Sequence, residues 1–258
     1  MTRTFAIVEL PGDGIGPEVC AAARRIVDAA GSRFGFAVAW DQRRVGGAAI
    51  DADGTPLPSA TLDACRSADA VLLGAVGGPR WDDPSAPQRP EDALLGLRSE
   101  LELFANLRPV RAHAALASAS PLRHEVRHGA DILILRELTG GLYFGKPQGR
   151  SRDGDTEVVV DTLRYTRPEI ERIVELGFTL AEGRRGHLTS VDKANVLASS
   201  RLWREVVDEI ASRHPAVTVE HALTRTTACL KHLDVSPVRY ERWMWRWGGI
   251  AAAVTPFE

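Results

Sequence analysis

Cysteine is scarce in this chain: three in 258 residues, at positions 20, 65 and 229. They are odd in number, far apart and without metal-ligand spacing. That excludes a disulfide framework and points to free thiols in a reducing compartment. Charge of one sign is lacking too. Thirty-two Lys and Arg against 34 Asp and Glu leave a net charge of −2, which gives no electrostatic case for nucleic acid or an anionic membrane as partner. No apolar run is long enough to span a bilayer. Met1 leads straight into "TFAIVEL" with no signal-peptide pattern before it. The expectation is a cytoplasmic protein, with no nucleic-acid and no membrane partner. Its 44% hydrophobic content supports a true core, as one large domain or two small ones.

The dinucleotide fingerprint G-x-G-x-x-G is also missing. "VELPGDGIGPEV" (8–19) carries Gly12, Gly14 and Gly16 in a G-x-G-x-G spacing, and Pro17 stands where the fingerprint has its last glycine. Proline suits the first turn of a helix. The stretch therefore reads as strand, glycine loop, then helix from about Pro17. Two explanations are open for the glycines: a tight strand-to-helix turn, or bare backbone brought close to a ligand.

What the chain does have is alternation of apolar strands and amphipathic helices. Strands are expected at 4–10, over "FAVAWDQ", at 69–77, over "NLRPVRAH", at 131–138 and over "AVTVEHAL", with "HLTSVDKANVL" (187–197) running from strand into loop. Helices are expected at 17–35, over "SATLDACRSA" with Ser59 as N-cap, at 91–104, at 167–185 and over "SSRLWREVVDEIASRH". Residues 139–166 read as a possible hairpin arm, and 77–90 as a long Gly/Pro loop of the kind that carries function. Strand–helix–strand at this pitch implies a parallel sheet covered by helices, an α/β fold. After Ala222 the periods become hard to read, and three tryptophans fall between 243 and 247.

Ligands of open α/β sheets bind beyond the carboxyl ends of the strands. That rule selects the glycine loop, the 77–90 loop, Arg136, Glu137 and Thr139 after one strand, and Asp192, Lys193 and Asn195 after another. The charged pairs there are either ligand groups or structural ion pairs. Leu94 and Arg98 lie four apart on one helical face with Leu95 beside them, joining an apolar patch to a guanidinium. Arg98, Arg108 and Arg136 could each hold a carboxylate bidentately. Tyr143 and Lys193 are candidates for proton transfer.

Five ordered stretches, "LPGDGIGPEV", "LLGAVGGPRWDD", "LRSELELFANLRPVR", "RELTGGLYFGKPQG" and "SVDKANVL", resemble the isocitrate/isopropylmalate family of β-decarboxylating dehydrogenases, and its isopropylmalate branch in particular. The resemblance runs from about residue 4 to residue 221. It implies a two-domain isopropylmalate-dehydrogenase-like fold with parallel and mixed sheets, not a Rossmann fold. The first domain would be 1–99, with its return segment missing, the second, dimerising substrate domain 100–221, and a divergent tail 222–258. It implies NAD-dependent oxidative decarboxylation of a small 2-hydroxy dicarboxylic acid, 3-isopropylmalate, in leucine biosynthesis, by a homodimer that needs Mg or Mn. Position by position, Arg98, Arg108 and Arg136 would clamp substrate carboxylates and Leu94 and Leu95 would take the isopropyl group. Tyr143 and Lys193 would exchange protons, the lysine reaching the partner subunit's site. Ile15 and the segment Gly78, Pro79, Trp81, Pro90 and Glu91 would line the nicotinamide side of NAD.

The metal-binding aspartates of the family have no counterpart. The position aligned with the first is Arg225, and no G-D-x-x-[ST]-D motif follows residue 221. A reading-frame shift near codons 222–225 and a short protein with a new role, dimerising or regulatory, both account for this. Little or no activity is expected of the 258-residue chain. A related substrate, another alkylmalate or tartrate, is the remaining alternative.

Overall fold

A computed structural model describes residues 3–83, 85–119, 129–223 and 253–255. The chain divides into two compact units, one closing at Leu103 and the other opening at Phe104.

The first unit is built on a three-stranded parallel sheet, β1 (Arg3–Gly12), β2 (Phe36–Gln42) and β3 (Ala70–Ala75), in the order β2-β1-β3. β1 is central and is buried without a break from Val8 to Pro11, as expected of a strand covered on both faces. Helix α1 (Gly16–Phe34) links β1 to β2 and ends at Gly35, whose left-handed backbone returns an N–H to the Gly31 carbonyl. Two short helices follow, α2 (Gly47–Asp53) and α3 (Ser59–Ser67). The sequence pattern does not foretell α2, which is only seven residues long. Pro58, not Ser59, occupies the N-cap of α3, and Ser59 is its first helical residue. Helix α4 (Asp92–Glu100) stops short of the expected residue 104, because Glu102 takes a left-handed φ of 51° and turns the chain. Ala93 and Leu97 of α4 close the core over Val8, Leu10, Val45 and Cys65. Burial pushes the thiols of Cys20 and Cys65 up from their ordinary value, and both are free.

The second unit carries a mixed sheet in the order β4-β5-β10-β8-β9. β4 (Ala105–Arg111) is antiparallel to β5 (Asp131–Glu137). β8 (His187–Asp192) is parallel to β9 (Thr218–Leu223). A three-residue strand, β10 (Ala253–Thr255), seats itself between β5 and β8, parallel to both. The stretch beyond Ala222 thus supplies part of the sheet. The hairpin expected within 139–166 is β6 (Gly149–Asp153) against β7 (Thr156–Val160). Helix α5 (Arg167–Glu182) opens with Thr166 donating its N–H to Glu169, and helix α6 (Ala198–Ala211) follows β8. Their apolar faces, Ile170, Ile173, Val174 and Phe178 with Trp203, Val206, Val207 and Ile210, form the second core. No helix among the described residues is long and apolar enough to cross a membrane.

Candidate functional site

In the first unit the candidates gather at the carboxyl ends of β1 and β3. A Cβ on Gly12 would stand 1.9 Å from the Ala75 carbonyl oxygen, and one on Gly16 would stand 2.0 Å from that of Pro11. These two glycines serve close backbone packing, which is the turn explanation. Gly14 differs: its φ is +56° and its nearest neighbour would be 3.9 Å away, so it is required by conformation alone. Between them sits Asp13, only 4% exposed. Its carboxylate accepts the N–H groups of Gly47 (2.7 Å), Ala48 (2.7 Å) and Gly77 (2.9 Å). Ile15 stands out at 63% exposure. Gly78 leads into the short 3₁₀ turn Pro79–Trp81, Pro90 is buried and Glu91 caps α4, and a Cβ on Gly77 would lie 2.7 Å from the Glu91 carboxylate. Leu94, Leu95 and Arg98 are half-buried on α4, whose buried residues are Ala93 and Leu97.

In the second unit the carboxyl edge of the sheet collects the remaining candidates. Asn106 is paired with Arg136 and Arg108 with Ile134 across β4 and β5. Cross-strand partners share a face, and so do residues two apart. Arg108 and Arg136 are therefore diagonal neighbours on one face. Arg108 donates Nε–H to Asn106 Oδ1 at 2.6 Å, which fixes the fork's orientation. Lys193 directly follows β8, and its carbonyl accepts the N–H groups of Val196 and Leu197 in a tight turn. Tyr143 is exposed on a turn fastened by the Gly141–Arg164 bridge and by Gly145, whose Cβ would stand 1.8 Å from the Thr162 carbonyl.

The strand-end acids behave differently from their basic neighbours. Glu137 and Asp192 are completely buried. Glu137 accepts the N–H groups of Thr139 and Gly140 and the Thr139 hydroxyl, with Arg172 at 3.7 Å. Asp192 takes both prongs of Arg204 at 3.0 and 2.9 Å and the Ala194 N–H. These two acids are structural. Alternation along the strand turns Arg136 to the face opposite Glu137.

Residues 6–234 match the family model described as isocitrate/isopropylmalate dehydrogenase. The chain belongs to the isocitrate/isopropylmalate dehydrogenase family. The match continues beyond residue 221, the end assigned to the resemblance from sequence. A 3-isopropylmalate dehydrogenase from Halalkalibacterium halodurans is 57% identical over 222 residues, covering 86% of this chain and 61% of the relative. One from Anaeromyxobacter dehalogenans is 56% identical over 223 residues, covering 86% and 63%. Isocitrate dehydrogenase from Methylococcus capsulatus superposes with a TM-score of 0.70 at 30% identity, over 91% of this chain and 64% of that one. A β-decarboxylating dehydrogenase from Thermococcus kodakarensis gives a TM-score of 0.63 at 28% identity, over 98% and 64%. The chain spans about 60% of the length of the curated relatives it matches.

Family membership brings an expectation of a divalent metal, and the described residues do not fit one. No group of three Asp, Glu, His or Cys among them could hold a metal ion, and Asp192 is already engaged by Arg204. Arg225 lies outside the described residues. Sequence reading also passed over Asp13 and Asn106. The signal for Asp13 was an acid set between two glycines, where exposed amides converge. For Asn106 it was an amide two residues before an arginine on a strand, hence on the same face.

Proposed function

We propose that this chain carries a substrate- and cofactor-binding part of a 3-isopropylmalate dehydrogenase, acting on a small 2-hydroxy dicarboxylic acid with NAD as oxidant, in leucine biosynthesis and as a homodimer. The observation that carries this is the 54–57% identity to relatives named 3-isopropylmalate dehydrogenase. The pairing of apolar Leu94 and Leu95 with Arg98 supports an alkyl-substituted substrate over one with a third carboxylate. In the second unit Arg108 and Arg136 bind and orient a carboxylate through paired N–H donors. Tyr143 and Lys193 are assigned the proton transfers. In the first unit the exposed Ile15 is assigned to the nicotinamide side of NAD, with Gly78, Pro79, Trp81, Pro90 and Glu91. When bound, NAD supplies the hydride acceptor. No step is derived through a metal.

A second reading, a non-catalytic homologue, is favoured by one observation: an arginine, Arg225, stands at the position of the family's first metal-binding aspartate. One experiment separates the two. Purified 258-residue chain is titrated calorimetrically with 3-isopropylmalate and with NAD, and NADH formation is followed with and without Mg or Mn. Turnover that prefers 3-isopropylmalate over isocitrate, tartrate and other alkylmalates establishes the enzyme. Binding that R136A abolishes, without turnover, establishes the non-catalytic homologue. Absence of both binding and turnover rejects the substrate assignment.

A further inference from the structure

We propose that Asp13 is the positioning residue of the cofactor wall: its buried carboxylate ties the glycine loop to α2 and to the start of the 77–91 loop, and so sets where Ile15, Gly78 and Trp81 stand. The proposal rests on the NAD reading of this wall. The carboxylate draws in amides 34 and 64 residues away in sequence, those of Gly47 and Gly77. A carboxylate that accepts several backbone N–H groups holds them more strongly than a neutral acceptor would. The effect passes onward through α2. A Cβ on Gly47 would meet the Trp81 indole at 2.4 Å, so the ring lies directly on that backbone. Asp51, one turn on, accepts from Trp81 Nε1 at 3.4 Å and pairs with Arg80 at 3.1 Å. The Arg80 guanidinium also lies over the Trp81 ring, 5.6 Å from its centroid. Thus the Pro79–Trp81 turn is seated on α2, and the N-terminus of α2 is held by Asp13. Gly46 packs closely on the clamp: a Cβ there would stand 2.6 Å from the Asp13 carboxylate and 2.9 Å from Val76.

The test is amide hydrogen exchange on the full chain, read by peptide. Asp13→Asn keeps the size of the side chain but offers an N–H₂ group to amides that are themselves donors. Exchange over 46–50 and 76–82 should quicken at least tenfold, while β2 and the helices of the second unit stay within twofold of wild type. Unchanged exchange over 76–82 overturns the proposal. Should Asp13→Asn strip protection from β2 as well, Ala48→Pro decides. It removes one of the three donors at a first-turn position where proline is tolerated, and a severalfold rise over 76–82 with β2 intact is the expected result. The same variants are titrated with NAD. A rise of fivefold or more in Kd for NAD, with Kd for 3-isopropylmalate unchanged, supports positioning of this wall. Loosened exchange with an unaltered Kd for NAD overturns it. If the wild-type chain takes up no NAD, the NAD reading of the wall fails, and the exchange result alone judges the clamp.

Discussion

The two units end their strands in different ways. In the first, β1 and β3 run out into glycines, and the buried acid beyond the end of β1, Asp13, accepts three backbone amides, while Glu9 inside β1, equally buried, has Arg24 of the following helix at 3.5 Å. In the second, β5 and β8 run out into charged pairs, and each buried acid is matched by an arginine from the following helix, Arg172 for Glu137 and Arg204 for Asp192. The first arrangement draws its amides inward onto Asp13. In the second, Arg136 and Glu137 turn to opposite faces of β5, and Lys193 follows Asp192 just beyond the end of β8. Both arrangements sit at the carboxyl edge of a sheet, one closed by backbone amides and the other by charged side chains.

The largest effect should come from breaking a charge match in the second unit. Arg204→Met leaves Asp192 wholly buried without its bidentate partner. Removing one member of a buried pair costs about 3–5 kcal/mol; with Arg204 35% exposed the lower end is expected, and the urea midpoint followed by far-UV circular dichroism should fall. Adding Asp192→Asn should recover much of the loss, since no bare charge then remains. A single-variant cost under about 1 kcal/mol would place this pair among exposed ion pairs, and the contrast between the units would collapse.

A smaller effect is expected from the glycines of the first unit, and it should be unequal among them. Gly12→Ala drives a methyl into the Ala75 backbone, which no rotamer change can relieve, at a backbone φ of +70°. About 3 kcal/mol is the expected cost. Gly14→Ala meets open space at φ +56° and should cost only about 1 kcal/mol, the left-handed penalty alone. The difference between the two, by thermal or urea denaturation, measures how tightly the glycine loop lies on β3. Equal costs would show that conformation, not packing, selects both residues.

Much of this was legible in the sequence, for identifiable reasons. The sequences of β1, β3 and β5 are rich in apolar residues, and the residues placed beyond the strand ends follow from a general rule of α/β sheets. Arg136 and Lys193 could be named as candidates because charge at the end of a strand is conspicuous, and Arg98 because it shares a helical face with Leu94; Arg108 and Tyr143 took their roles from the family resemblance. The acids were harder. "REL" and "VDK" each present an acid beside a base, and sequence alone cannot tell which turns inward. The answer lay far along the chain, in Arg172 and Arg204. Asp13 was hidden for a similar reason, since its partners Gly47 and Gly77 carry no side chain to betray them. The α3 cap was misread because serine is the better N-cap by type, whereas Pro58 with its extended backbone takes the position. The end of α4 was missed because the helical pattern of "SELELF" continues past Glu100, and only the left-handed Glu102 interrupts it.

The gentlest probe of the comparison is pH. All seven histidines lie beyond Leu103, so a histidine-directed probe addresses the second unit. His214 is the clearest case. Its Nδ1 lies 2.7 Å from Glu182 and its Nε2 3.3 Å from Glu175, both on α5, while its ring stacks on Phe178 at 4.9 Å. The hydrogen bond to Glu182, then that to Glu175, raises its pKa above the ordinary 6.5 against some opposing desolvation. A raised folded pKa means that the folded state holds the proton more tightly than the unfolded chain. The resulting stabilisation is complete below the unfolded value and is lost as pH climbs through the folded one. His214→Gln should therefore destabilise the second unit most near pH 6, with the gap from wild type narrowing towards pH 8.5 to whatever the stack on Phe178 contributes. Urea denaturation at four pH values, with exchange of β1 and β2 amides as the internal reference, reads both units at once. A gap that stays constant with pH would mean that stacking alone holds His214, and that its two glutamates bind it no better than solvent does.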